Sequence, residues 1–173
     1  MSNNNRNSYE SLIAPPISET EFCREFGVNT PECFAELERR LMTAIANEDA
    51  DSLDDALSLE SRLDTPDRTA LFETLLDQPW HYSHEHIIRY LQDHPSPTSV
   101  EPLRRAVELK PKLEYLEYDD YGAYYKKCFW ALAVNPDPRA VDVIREFANS
   151  DLETVREQAQ YRLNKIKPDA DDA

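Results

Sequence analysis

The scarcity of glycine constrains this chain more than any other feature of its sequence. Only 2 of its 173 residues are glycine, whereas 12 are proline. Antiparallel sheets need glycine at many tight turns, and nucleotide-binding folds need it where the backbone approaches a phosphate. Proline is tolerated in the first turn of an α-helix, where its missing N–H is not needed. The composition therefore favours an all-helical protein.

Helix starts recur along the chain as a capping residue followed by proline. The four dipeptides of this kind are Thr30-Pro31, Thr65-Pro66, Ser96-Pro97 and Asp137-Pro138. In each, the side-chain oxygen can accept a hydrogen bond from the first turn of a helix. Ser18 and Glu21 have the spacing of a capping box, and Asp119 or Asp120, and Asp151, could cap two further helices. Because apolar residues follow at helical spacing, we predict an all-α protein.

Two segments in the second half of the chain repeat each other at an offset of 41 residues. The matched pairs are Ile87/Cys128, Ile88/Phe129, Leu91/Leu132, Pro95/Pro136, Pro97/Pro138, Val100/Val141 and Leu103/Ile144. Each copy reads as a helix, a short turn with two prolines, and a second helix. A period near 40 built from helix pairs is typical of HEAT and armadillo repeats.

The sequence resembles HEAT-repeat proteins over residues 80–167. The resemblance is carried by the stretches NPDPRAVDVIREFANSD (from Asn135) and DLETVREQAQYRL (from Asp151). It implies a short α-solenoid of stacked antiparallel helix pairs, in which neighbouring repeats bury each other's apolar faces. No fixed period is visible over residues 18–79. We predict a single HEAT-like α-solenoid domain over residues 18–167, a flexible N-terminal arm over residues 1–17 and a disordered acidic tail over residues 168–173.

The chain is strongly acidic, with 34 acidic and 19 basic residues and a formal net charge of −15. This charge repels nucleic acid and anionic membranes, so we expect a basic protein as the partner. General solubility explains the charge equally well. No apolar run approaches the roughly 20 residues of a membrane span, and the N-terminus has no apolar signal-peptide core. We therefore expect a cytoplasmic protein.

Three of the four histidines lie within the stretch Trp80-His81-Tyr82-Ser83-His84-Glu85-His86. A metal site needs three or four converging ligands with supporting hydrogen bonds. The HEAT-repeat hydroxylase that modifies lysine holds a di-iron centre with several His-Glu pairs, but this chain has one such pair, His84-Glu85. The second copy of the repeat carries Tyr125-Lys126 instead. Because common catalytic motifs are also missing from the sequence, we expect no metal, no cofactor and no enzymatic activity, and interpret Ser83 as a helix cap.

Five of the nine tyrosines lie in the segment Lys112–Trp130, among several carboxylates. About half of these rings are expected in the core. The others would form a binding surface, because aromatic rings are enriched at interface hot spots and carboxylates pair with Arg and Lys. Inserted loops on one face of a solenoid also commonly bind partners. The predicted partner-binding residues are Trp80, His81, His84, Glu85, Glu117, Tyr118, Asp119, Asp120, Tyr121 and Tyr124.

Part of the chain also resembles small bacterial HEAT-repeat immunity proteins of polymorphic toxin systems. The resembling stretches are Trp80–Glu85, LEYDDYGAYYKKCFWAL (from Leu116) and DPRAV (from Asp137). The resemblance implies a tight complex with a cognate toxin domain, for example a nuclease with a basic groove, formed as a 1:1 heterodimer by an otherwise monomeric protein. Two alternatives stay open: a general HEAT-repeat scaffold or adaptor, and a lyase or metal-dependent enzyme that uses His84 and Glu85.

Overall fold

The computed structural model of the protein describes residues 18–119 and 121–166. These residues form α-helices and short 3-10 turns, with no β-strand in the described part of the chain. The helices are α1 (Glu19–Phe26), α2 (Pro31–Asn47), α3 (Ala50–Glu60), α4 (Thr69–Leu75), α5 (His84–Asp93), α6 (Val100–Leu109), α7 (Ala123–Ala133), α8 (Arg139–Phe147) and α9 (Glu153–Leu163). The 3-10 turns span Pro97–Ser99, Lys110–Lys112 and Glu114–Leu116. The predicted all-α fold is confirmed. The predicted arm and tail lie outside the described residues, as does Asp120.

The chain divides into two compact units, the first ending at Thr65 and the second beginning at Pro66. In the first unit, α2 packs against both α1 and α3. Its core contains Phe22, Cys33, Leu37, Leu41, Leu53 and Leu57, all fully buried. The helix starts follow the sequence prediction: Ser18 and Glu21 form a complete capping box, and the Thr30 hydroxyl accepts a hydrogen bond from the Cys33 N–H. Local capping chemistry thus sets the ends of these helices.

The second unit contains α4 to α9. Helix α7 packs against α5, α6, α8 and α9, while α8 also packs against α6 and α9 and α5 packs against α4. The fully or almost fully buried apolar residues include Leu76, Ile87, Ile88, Leu91, Leu103, Phe129, Leu132 and Ile144. Helix α7 therefore lies at the centre of this unit. The connection that leads into it, residues 110–122, carries the predicted aromatic and acidic segment.

Helix starts in the second unit agree with the sequence at Ser96, whose hydroxyl accepts from the Thr98 N–H. At Asp137, the carboxylate accepts from the Arg139 N–H. The predicted start at Thr65-Pro66 is wrong, because α4 begins at Thr69. There the Asp67 carboxylate accepts from both the N–H and the hydroxyl of Thr69. An Asx-type turn at Asp67 therefore replaces the expected proline start, and α4 begins three residues after Pro66.

The matched positions of the internal repeat occupy equivalent places in the second unit. In four of the five matched apolar pairs, both members are buried: Ile87/Cys128, Ile88/Phe129, Leu91/Leu132 and Leu103/Ile144. The exception is Val141, which is only half-buried although its counterpart Val100 is buried. Ala140 is fully buried beside it. The repeated spacing therefore marks core positions of α5 and α7, and of α6 and α8.

Candidate functional site

Two of the predicted partner-binding residues, His81 and His84, lie in the core rather than on the surface. Their rings stack with centroids 4.1 Å apart. His81 Nε2 donates to the Leu75 carbonyl at 2.9 Å, and its Nδ1 accepts from the Ser83 N–H at 3.2 Å. His84 Nε2 donates to the Gln78 carbonyl at 2.9 Å. Buried rings offer no area to a partner, so we correct the candidate surface by removing both histidines.

Burial disfavours the protonated form of both histidines. Desolvation lowers the pKa of His81, and desolvation with the neighbouring His81 ring lowers the pKa of His84 to about 3. The free Nδ1 of the His84 ring accepts from the Tyr115 hydroxyl, with 3.0 Å between the two atoms. Both nitrogens of each ring are therefore used within the protein. His84 holds Tyr115 in place on the connection before α7.

Tyr124 is a third predicted surface residue that the structure places in the core. It is fully buried, and its hydroxyl donates to the Ala106 carbonyl at 3.3 Å. Burial raises the pKa of Tyr124 and that of the neighbouring Cys128 thiol. Both groups are therefore uncharged near neutral pH. Tyr124 ties α7 to α6 and cannot contact a partner.

Glu85 and Trp80 lie at the border between core and surface. The Glu85 carboxylate pairs with Lys127 of α7 at 2.6 Å. The Trp80 ring packs edge-on against His81, with centroids 5.0 Å apart. Ser83 is the N-cap residue of α5, as predicted, but its side chain makes no capping hydrogen bond. The Trp80–Glu85 stretch thus mainly joins α4, α5 and α7.

The predicted partner-binding residues that are exposed lie on the connection between α6 and α7. We call residues 114–119 together with Tyr121 the tyrosine segment. Tyr118 is 87% exposed and Tyr121 is 90% exposed. Glu114, Tyr115 and Glu117 of the same segment are also exposed. Rings of this size bury large areas when they are covered, so this segment is the main uncovered aromatic surface suggested by the sequence.

One neighbour of the tyrosine segment was not among the predicted site residues. Tyr82 is exposed, and its ring meets Tyr115 edge-on with centroids 6.4 Å apart. It lies between His81 and His84 in the chain. The only sequence signal that could have separated Tyr82 from the two histidines is a period of two along residues 81–83, in which neighbouring side chains point in opposite directions.

The tyrosine segment is anchored where it enters α7. Both carboxylate oxygens of Asp119 accept backbone hydrogen bonds, from Ala123 at 2.8 Å and Tyr124 at 3.1 Å. Lys110 lies 3.5 Å from the same carboxylate and stacks over the Tyr125 ring. Asp119 therefore caps α7, as one reading of the sequence predicted, and its charge is directed into the protein. It supports the segment rather than offering a free carboxylate.

A second anchor fixes the end of the segment against α9. Gly122 has a left-handed backbone with φ of +67°. A Cβ at this position would lie 2.5 Å from Thr154 Cγ2, so the glycine lets α9 approach closely. Gln158 of α9 donates to the Tyr121 carbonyl at 3.3 Å. The backbone that carries Tyr118 and Tyr121 is thus held at both α7 and α9.

The tyrosine segment presents the exposed rings of Tyr118 and Tyr121 and the carboxylates of Glu114 and Glu117. The described residues contain no group of three or more His, Cys, Asp or Glu side chains placed to hold a metal ion. None of the helices in the described part of the chain has the length and apolar character needed to cross a membrane.

Comparisons with known proteins leave the family open. No protein-family model matches the sequence. Neither a curated protein nor a solved structure shows significant similarity to it. The function is therefore inferred from the residues and their geometry.

Proposed function

We propose that this protein is an immunity protein that neutralises a cognate toxin domain by binding it through the tyrosine segment. The observation that carries the proposal is the exposure of Tyr118 and Tyr121 on a connection that is hydrogen-bonded to α7 and α9. Tyrosine is enriched among the residues that dominate binding energy, because its ring supplies a large rigid area and its hydroxyl a polar contact. A partner that covers these two rings would gain binding free energy from the large apolar area that becomes buried.

The anchoring of the segment supports tight binding. Asp119 caps α7, Gln158 of α9 holds the Tyr121 carbonyl, and His84 holds the Tyr115 hydroxyl. A loop that is already fixed loses little conformational entropy when a partner covers it. More of the interaction energy is then available as affinity.

The charge of the surface suggests the chemistry of the partner. Glu114 and Glu117 are exposed beside the tyrosines, and the whole chain carries a formal charge of −15. Such a surface attracts a basic partner, increases the association rate and loses this advantage at high salt. A toxin that acts on nucleic acid has a basic groove of this kind. Such a complex would form in the cytoplasm.

We propose a HEAT-like solenoid as the scaffold that presents the segment. Two salt bridges each join residues 42 positions apart, Glu85 to Lys127 and Arg104 to Glu146. The first connects α5 with α7, and the second connects α6 with α8. Contacts between nearly equivalent positions of successive helices are what stacked repeats produce. The spacing of these bridges is one residue longer than the 41-residue offset in the sequence.

The enzymatic alternative finds less support in the geometry. Its two proposed metal ligands, His84 and Glu85, are already engaged, the histidine through both ring nitrogens and the glutamate with Lys127. A metal would have to break at least one of these contacts. The adaptor alternative is separated from the immunity proposal by the following experiment.

The test is to coexpress the tagged protein with the product of the neighbouring gene, purify the complex and measure the dissociation constant by calorimetry. We expect a 1:1 complex that protects cells from that product and weakens with salt. The double variant Tyr118→Ala, Tyr121→Ala should lose at least about 2 kcal/mol, or roughly 30-fold in affinity. Met42→Ala is the matched control, because Met42 is exposed on α2, in the first unit.

Three results would contradict the proposal. Unchanged affinity in a folded double variant would reject the tyrosine segment as the contact. Weak capture of several unrelated proteins without protection would favour the adaptor. Failure to form any complex with the neighbouring product would reject the immunity function.

A further inference from the structure

A second exposed aromatic surface lies on α7 and α9 and differs in charge from the tyrosine segment. The guanidinium of Arg162 stacks over the Trp130 ring, 4.6 Å from its centroid. The ammonium of Lys165 lies 5.6 Å from the Tyr161 ring centroid. Trp130 is 43% exposed and Tyr161 is 48% exposed. We call these four residues the cation–aromatic patch.

Arg162 has one side-chain donor with no hydrogen-bond acceptor among the described residues. Its Nε is buried and has no hydrogen-bond partner in the described structure, and burial lowers the pKa of its guanidinium. No described carboxylate forms a salt bridge with Arg162 or Lys165. Arginines that form salt bridges in the described part of the chain include Arg39, Arg40, Arg62, Arg89, Arg104, Arg105, Arg139 and Arg145. The chain carries a charge of −15, yet the Arg162 guanidinium over Trp130 has no carboxylate partner among residues 18–119 and 121–166.

The patch adjoins the tyrosine segment through α9. Gln158, which holds the Tyr121 carbonyl, lies one helical turn before Arg162. Gly122 at the start of α7 faces Thr154, while Trp130 near the end of α7 faces Arg162. The two helices therefore run in the same direction, and one partner could reach from Tyr121 to the patch along α9.

We infer that the cation–aromatic patch is a second contact for the protein partner and binds a carboxylate side chain on it. This inference rests on the proposed function for the identity of the partner. An arginine held over a ring keeps its planar donors in position for a carboxylate, and Trp and Arg are frequent hot-spot residues. The terminal amino groups of Arg162, rather than its buried Nε, would donate to that carboxylate.

Charge decides which anion fits. A polyanion such as nucleic acid is repelled by the carboxylates of the tyrosine segment and by the net charge. A single acidic side chain on an otherwise basic protein surface meets no such repulsion. A negative contact and a positive contact on the same face also fix the orientation of the partner, because the reversed arrangement places like charges together.

The experiment uses the full chain and two peptide probes, acetyl-Lys-Glu-Lys-amide and acetyl-Lys-Gln-Lys-amide, followed by NMR. The readouts are the Arg162 Nε–H and Trp130 indole N–H cross-peaks. We expect the Glu peptide to shift both peaks saturably and to bind about fivefold more tightly than the Gln peptide. Arg162→Gln should abolish the Trp130 shift. Arg145→Gln, which removes the same charge from an exposed site on α8, should retain it.

Equal shifts with the two peptides, or a Trp130 shift that survives Arg162→Gln, would overturn the inference. Inorganic phosphate shifting the peaks more strongly than the Glu peptide would also overturn it, because the patch would then be a general anion site. Since the peptides need no toxin, this result is independent of the coexpression test. Peptide binding without any toxin complex would reject the proposed function and retain a carboxylate site.

Discussion

Replacing Gly122 with alanine tests whether the close approach of α9 fixes the tyrosine segment. The residue has φ of +67° and ψ of 32°, a left-handed conformation that costs a non-glycine residue about 1–2 kcal/mol. The new methyl group would lie 2.5 Å from Thr154 Cγ2 and 3.2 Å from Gln158 Cγ. Overpacking of this kind costs a further 1–3 kcal/mol or so. We expect Gly122→Ala to lower the free energy of unfolding by about 2–5 kcal/mol.

The two contributions can be separated by removing the methyl group that the new Cβ meets. Thr154→Ser deletes Cγ2 while keeping the hydroxyl. In that background Gly122→Ala should cost only about 1–2 kcal/mol, which leaves a coupling energy of roughly 1–3 kcal/mol between the two positions. Thr154→Ser alone is the control.

Tryptophan fluorescence during urea unfolding is the suitable assay. Trp80 and Trp130 both lie in the second unit, so the signal reports the unit that contains Gly122. A Gly122→Ala variant as stable as the parent would refute the proposed steric conflict. An equal loss of stability with and without the Thr154 methyl group would assign the whole effect to the backbone.

Three further predictions concern the supports of the candidate surface. Because His84 stays neutral in the folded protein down to about pH 3, while the unfolded chain binds a proton near pH 6.5, its contribution to stability is complete above pH 6.5 and is lost as the pH falls. The free energy of unfolding falls by about 1.4 kcal/mol per pH unit over this range. His84→Gln should reduce the slope of the free energy of unfolding between pH 6.5 and 5. An unchanged slope would contradict this assignment. Tyr115→Phe should destabilise the second unit by about 1–3 kcal/mol, because His84 Nδ1 loses its donor, whereas Tyr121→Phe should have little effect; equal urea midpoints for the two variants would refute the contact. Asp119→Ala should cost about 1–2 kcal/mol through the lost α7 cap, with Asp119→Asn intermediate, and a melting temperature equal to that of the parent would show that the cap is dispensable.

Short-range interactions made much of the secondary structure predictable. The scarcity of glycine indicated the helical class from composition alone. The capping box at Ser18 and the caps at Thr30 and Ser96 act within one helical turn. Such signals can be read directly from neighbouring residues. Thr65-Pro66 carries the same local signal, but the start of α4 is set three residues later by Asp67. A capping dipeptide shows that a helix can start, and competing nearby caps decide where.

The 41-residue offset also marked core positions directly in the amino-acid sequence. Repeated units bury equivalent residues, so the pairs Ile88/Phe129 and Leu91/Leu132 are buried in both copies. Tyr118 and Tyr121 of the predicted segment are exposed. The amino-acid sequence therefore determined the helical class, most helix starts, the core stripe of the repeat and the place of the aromatic segment.

Only tertiary packing decided which polar and aromatic groups face solvent. His81, His84 and Tyr124 belong to the same short stretches as Tyr82 and Tyr121, yet they are buried. Their burial depends on hydrogen bonds to the carbonyl oxygens of Leu75, Gln78 and Ala106, which folding brings close to them. The stacking of Arg162 on Trp130 likewise joins two helices far apart in the chain. Spacing along one helix sets which residues share a face, but the neighbouring helices determine whether that face is covered.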